Sequence, residues 1–321
     1  MSKVLVYGWY HQGNIGDELF MDAFKHLFPD FNFEFTEIIT SEKLQDVDAV
    51  FFGGGSFLLG NPNIEGPALQ QLKSKKIFYI GVGVETHIHP IHIELMKLAK
   101  LIATRSFDQI NRLKDINPNV IGIPDLVHVL QSKVPSCVKQ KKTILVMPNI
   151  CVVPKVSDAH WKHAAWTYFK SEFVQFLDHM VYNGYEIKFF PMCESLEASD
   201  TWASNELVSH MERRHASMIL PNPPKTFEEI MSLVSQHELL ITQRFHGIIL
   251  SEMANTSYIS IHHHDKLKNH KSNFGQSISY YNTSKQVIID TFSSILSNST
   301  NSLPIESNTF EELIKAVISL I

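Results

Sequence analysis

The segment Ile241-Thr242-Gln243-Arg244-Phe245-His246-Gly247 places an arginine and a histidine two residues apart. Arg244 supplies a permanent charge on a planar fork suited to carboxylate or phosphate. His246 supplies a proton that exchanges near neutral pH. Together they read as anion binding joined to acid–base chemistry. Their setting agrees. Glu238 to Thr242 is a short apolar run, and Phe245 to Met253 carries the 3.6-residue apolar period of a helix. A strand end that leads into a helix N-terminus is where open α/β sheets take anionic ligands.

Other segments carry chemistry with a plainer reading beside it. The loop from Gly8 to Glu18 contains Gly13, Asn14 and Gly16 and ends in Asp17-Glu18. It is neither the dinucleotide fingerprint nor a P-loop. Asp17 suits a helix first turn, the commoner role, or a catalytic carboxylate. Gly53-Gly54-Gly55-Ser56 makes a tight turn or a nest of N–H donors for an anion. Gly81-Val82-Gly83 is a second such turn; His87, His89 and His92 follow it without a carboxylate at zinc spacing, a weak metal signal. Arg105 ends the apolar run Leu101–Thr104 and needs either an ion-pair partner or a ligand. His262-His263-His264-Asp265-Lys266 is a solvated run, or it brings Lys266 to the anion of Arg244. The aromatics from Trp161 to Tyr168 are core, or they stack on a sugar ring.

The elements that must position these residues alternate between short apolar runs and amphipathic stretches, the α/β pattern. Strands are expected at Lys3–Gly8, Asp48–Gly53, Lys76–Val82, Leu101–Thr104 and Val120–Ile123, then at Thr143–Met147, Glu186–Phe190, Ser217–Leu220, Glu238–Thr242 and Ser257–Ile261. A helix is expected at Asn205–His215 and a last one at Phe310–Leu320. Gln131 to Lys142 reads as a linker, and Ser297 to Asn308 as a mobile connection. The expectation is two Rossmann-like domains facing a cleft, 1–135 and 140–300, with a C-terminal helix in 301–321. The 321 residues are 44% hydrophobic and 19% charged, with net charge −5, which advertises no nucleic-acid partner. Three widely spaced cysteines fit a reducing compartment, and the start has no signal-peptide layout, so a cytoplasmic protein without a transmembrane segment is expected. Oligomeric state is not legible.

In order and spacing, these pieces resemble the polysaccharide pyruvyl transferase family. The resemblance rests on Gly13-Asn14-Ile15-Gly16-Asp17-Glu18, Gly53-Gly54-Gly55, Gly81-Val82-Gly83, Thr104-Arg105-Ser106, Pro124-Asp125, Arg244-Phe245-His246-Gly247 and, more loosely, His264-Asp265-Lys266. The chain departs from the family where Asn61 replaces an aspartate, where Asn149 stands at an arginine position, and in the Tyr and Pro missing beside Lys266. The resemblance implies an architecture like the GT-B glycosyltransferases. It implies transfer of pyruvate from phosphoenolpyruvate to a sugar or glycan acceptor as a ketal, with no metal or other cofactor. Arg105, Arg244 and Lys266 would bind the donor, His246 would be the general acid and Asp17 the base, and the glycine loops would line the cleft. Two other functions fit the same residues: a nucleotide-sugar glycosyltransferase, and a non-catalytic carbohydrate binder.

Overall fold

The computed structural model describes residues 2–85, 87–195, 199–263, 265–268, 270, 273–297 and 308–321, with the backbone alone at 265, 266 and 308. The chain divides into two compact units, Met1–Ser132 with Ile305–Ile321, and Lys133–Pro304.

In the first unit, β1 (Lys3–Tyr7), β2 (Asn32–Thr36), β3 (Ala49–Gly55), β4 (Lys76–Val82), β5 (Leu101–Thr104) and β6 (Val120–Gly122) pair in parallel in the order β2-β1-β3-β4-β5-β6. The helices are α1 (Ile15–Leu27), α2 (Gly66–Lys73), α3 (Pro90–Leu98) and α4 (Ile110–Lys114). Every residue of β3 is buried, as a strand covered on both faces requires. On one face α1 packs aromatics onto the sheet: Phe24 lies 6.1 Å from Phe51, which lies 5.2 Å from Phe78. Pro67 and Pro90 open α2 and α3, where a missing N–H is harmless.

In the second unit, β7 (Gln140–Met147), β8 (Glu186–Phe189), β9 (Ser217–Ile219), β10 (His237–Thr242), β11 (Ser257–His262) and β12 (Gly275–Ser279) pair in parallel in the order β12-β11-β10-β7-β8-β9. The helices are α5 (His160–Tyr182), α6 (Asp200–His210), α7 (Phe227–Gln236), α8 (Phe245–Met253), α9 (Asp265–Lys268) and α10 (Lys285–Ser297). A capping box closes the start of α7: Thr226 accepts from the Glu229 N–H while Glu229 reaches back to the Thr226 N–H. The last helix, α11 (Asn308–Leu320), belongs to the first unit and buries Phe310, Leu313 and Val317.

Strand order reverses between β1 and β3 in one sheet and between β7 and β10 in the other. Ligands in such sheets sit at the carboxyl ends of the strands beside these reversals. The two Rossmann-like α/β units are the fold class expected from the sequence. Several details differ from expectation. β2, β12, α9 and α10 are absent from the expected elements; α6 begins at Asp200 rather than Asn205; and β7 starts at Gln140, inside the expected linker. Residues 298–307 of the expected mobile connection lie outside the described residues. Among the described residues no helix is long and apolar enough to cross a membrane.

Candidate functional site

At the β7/β10 reversal of the second unit, Arg244 is the N-cap of α8 and His246 lies in its first turn. Thr242, the last residue of β10, locks this junction. Its Oγ1 accepts from the Arg244 N–H and donates to the Arg244 carbonyl, both at 2.9 Å. A Cβ on Gly247 would run into Thr242 Oγ1 and lie 3.0 Å from Met147 Sδ. The first turn of α8 is therefore pressed against the ends of β10 and β7, and that contact aims Arg244 and His246.

The guanidinium of Arg244 meets a carboxylate that sequence reasoning missed. Asp200, fully buried at the start of α6, accepts from Arg244 Nε at 2.9 Å and also from Nη2. The same carboxylate accepts from the Ile150 N–H at 2.9 Å and the Met192 N–H at 3.3 Å. One buried anion thus ties together the loops after β7 and β8 and the starts of α6 and α8. Burial pushes the Asp200 carboxyl up, against the pull of Arg244 and the two N–H groups. Burial also opposes the charge on Arg244, but Asp200 outweighs it and holds that pKa above its usual value. The Nε/Nη2 edge is occupied by Asp200; Nη1 has no protein acceptor among the described residues.

Beside this pair, buried Gln243 accepts the Asn149 N–H at 3.0 Å through Oε1, and its Nε2 has no partner among the described residues. Asn149, where the resemblance leads one to expect an arginine, caps the next turn by accepting from the Cys151 N–H at 2.9 Å. His262 Nδ1 contacts Ser277 Oγ at 2.8 Å. The side chain of Lys266 and the whole of His264 lie outside the described residues; the backbone of 266 is in α9, after β11.

The first unit gathers a second set at its own strand ends. Arg105 follows β5 and is buried in an ion pair of Nη1 with Asp125, while Nη2 donates to Ser56 Oγ at 3.2 Å. It therefore has the structural partner that its position after a buried strand demanded. Asn14 is the N-cap of α1 and accepts from the Gly16 N–H at 3.3 Å. Its Nδ2 donates to Asp17 Oδ2 at 2.6 Å, so Asp17 stands in the first turn without being the cap.

The glycines divide by what a side chain would meet. At Gly53, Gly54 and Gly81 a Cβ would strike Phe24, Phe20 and Leu126, so these pack the sheet against its helices. At Gly55 and Gly83 it would lie 3.1 Å from Asp17 Oδ1 and 3.0 Å from Arg105 Nε, so these two bring backbone against the polar side chains. Gly54 and Gly55 also take φ of 69° and 86°, which side chains rarely adopt. Gly13, at φ 70°, lies in the exposed loop before α1. Two of the three histidines after Gly83 are structural. His89 caps α3 by accepting from Ile91 N–H at 3.3 Å. His92 is fully buried, with Nδ1 3.1 Å from Tyr79 OH, and burial first, then His89, pushes its pKa down to about 4. Among the described residues no group of three or more His, Cys, Asp or Glu could hold a metal ion. Of the aromatics expected as core or platform, Trp166 is core, whereas Trp161 and Tyr168 are exposed.

Two Rossmann-like units, each a parallel six-stranded sheet with polar side chains gathered at strand ends, define the α/β class of this protein. Residues 14–265 match the polysaccharide pyruvyl transferase family, and the chain belongs to that family. Its fold is similar to that of UDP-GlcNAc 2-epimerase from Methanocaldococcus jannaschii, with TM-score 0.62, 9% identity, and 99% of each chain covered. UDP-N-acetylglucosamine 2-epimerase from Rickettsia bellii gives TM-score 0.62 at 11% identity, covering 99% of this chain and 96% of that one. S. aureus MnaA with UDP gives TM-score 0.63 at 11% identity, covering 100% and 98%. At such identities the likeness shows the fold alone. No curated protein matches the chain in sequence.

Proposed function

We propose that the protein transfers the pyruvyl group of phosphoenolpyruvate to a sugar of a glycan, closing a ketal across two hydroxyls and releasing phosphate. The observation that carries this reading is the Arg244–His246 junction: a guanidinium fixed by buried Asp200 and a histidine two residues on, at the strand-order reversal of the second unit. The donor bears a carboxylate and a phosphate, so it needs fixed cations. Arg244 supplies one through Nη1, and Lys266 and Arg105 are further candidates.

In the proposed reaction His246 protonates the methylene carbon of the enol phosphate, leaving oxocarbenium character on the neighbouring carbon. A sugar hydroxyl attacks that carbon and gives up its proton to a base, for which Asp17 is proposed. The C–O bond to phosphate breaks, and a second hydroxyl attacks and loses its proton in turn. One proton ends on the new methyl group and one on phosphate, so His246 and the base return to their starting states.

The test is phosphate release from phosphoenolpyruvate with a panel of hexose and N-acetylhexosamine glycosides. Release that depends on the glycoside, and that falls at least ~10²-fold in His246→Ala, is expected. A variant with wild-type turnover removes His246 from the chemistry. If a nucleotide sugar raises the melting temperature and phosphoenolpyruvate does not, the protein is instead a glycosyltransferase of the same fold. If glycosides bind and no phosphate is ever released, it is a carbohydrate-binding descendant.

A further inference from the structure

Trp9 lies two residues past the end of β1, beside the reversal between β1 and β3, and is 57% exposed. An isolated exposed tryptophan on a loose loop would mean little. This one is held on both sides. Its successor Tyr10 is 1% exposed, donates its hydroxyl to the Gly53 carbonyl and packs its ring 5.0 Å from Phe35. Its predecessor Gly8 has no room for a side chain, since a Cβ would lie 2.7 Å from the Gly53 carbonyl oxygen. The backbone at Trp9 is therefore fixed against β3, and the indole is turned outward from a rigid base.

Polar groups suited to sugar hydroxyls lie in this loop and just after the neighbouring strand β2, whose Thr36 carbonyl accepts from the Gly8 N–H at 3.0 Å. Gln12 Nε2 donates to Glu37 Oε2 at 2.6 Å, which leaves the amide oxygen and the exposed carboxylate to accept further bonds. His11 takes φ of 61°, uncommon for a residue with a side chain, and such positions gather at ligand sites. An exposed aromatic three residues before the amide, on a strand end bonded to the one that precedes the carboxylate, matches a pyranose ring, which has an apolar face of C–H groups and an equator of hydroxyls. We propose that Trp9 is the stacking platform of a pyranose subsite, with Gln12 and Glu37 accepting hydroxyl hydrogen bonds. Naming this sugar as the acceptor rests on the pyruvyl-transfer reading above; the subsite itself does not.

Tryptophan fluorescence separates the two. Methyl β-glucoside, methyl β-galactoside and methyl N-acetyl-β-glucosaminide are titrated, without phosphoenolpyruvate, into wild type and into Trp9→Phe, Trp161→Phe and Trp202→Phe, which replace the exposed tryptophans one at a time. A saturable emission change with at least one glycoside is expected, lost in Trp9→Phe and kept in the other two. By calorimetry Trp9→Phe still binds, and Trp9→Ala binds about tenfold more weakly. In the phosphate assay Trp9→Ala raises the glycoside KM by a similar factor and leaves the phosphoenolpyruvate KM within about twofold. Overturning results are an emission change that survives in Trp9→Phe, unaltered affinity in Trp9→Ala, or no response to any glycoside. Glycoside binding through Trp9 without phosphate release would sink the pyruvyl-transfer reading and leave the subsite standing. Phosphate release indifferent to Trp9 would do the reverse.

Discussion

Arg244 and His246 were visible in the sequence because their types and spacing are local. Asp200 was not, because it lies 44 residues from Arg244 and its role exists only once α6 and α8 start side by side. It is nevertheless the residue on which the junction depends. A guanidinium that cannot lose its proton is kept in a buried place by one carboxylate, itself saturated by two backbone N–H groups. Removing one partner of such a pair leaves the other charge buried alone, which costs about 3–5 kcal/mol. Asp200→Ala should lower the unfolding free energy in urea by that amount and raise the phosphoenolpyruvate KM, while Asp200→Asn, which keeps the volume, should do less on both counts. A loss under about 1 kcal/mol in Asp200→Ala would show that Arg244 reaches solvent or another anion without it. The same logic covers Arg105. The sequence demanded a partner or a ligand for it without saying which, and the structure places it in contact with Asp125 at the ends of adjacent strands.

The elements that were legible are those with strong periodicity and burial, such as β3, β4, β10 and α8. Those missed carry weaker signals. β2 and β12 are edge strands, paired on one side only, and β12 (Gly-Gln-Ser-Ile-Ser) holds its place by main-chain pairing with β11 rather than by an apolar run. The first turn of α6 buries Asp200, Ala203 and Ser204, so no apolar stripe announces it. For α8 the informative residue is Gly247, whose place in the sequence motif said nothing of packing. Any side chain there must displace Thr242, whose hydroxyl holds both the N–H and the carbonyl of Arg244. Gly247→Ala therefore forces a choice between moving the helix and breaking the turn. It should destabilise by about 1–3 kcal/mol, the usual range for overpacking, despite the better helix propensity of alanine. Because both routes shift Arg244 and His246, turnover should fall by more than the unfolded fraction explains, measured by circular-dichroism melts beside the phosphate assay. A variant with unchanged melting and turnover would mean that the ends of β7 and β10 yield freely to α8.

At the scale of the whole chain, the sequence marked a last amphipathic helix and could not say what it covers, because periodicity shows that a face is buried and not against what. The structure counts Ile305–Ile321 with Met1–Ser132, so the chain leaves the first unit, builds the second, and returns. Phe310, Leu313 and Val317, at helical spacing, are buried, and Lys76 at the start of β4 donates to the Ile321 carbonyl at 2.5 Å. The first unit is thus completed by residues that are distant in sequence, and its stability depends on both ends of the chain. Burying each of those apolar side chains is worth roughly 1.5–3 kcal/mol, so deleting 308–321 withdraws several kcal/mol from the first unit and none directly from the second. Limited proteolysis of the truncated protein should therefore cut first within 2–132 and leave a resistant fragment from the second unit, with a melting onset below that of the full chain. If the first cuts fell in the second unit, or both units melted together as in the full chain, α11 would not be part of the first unit's core.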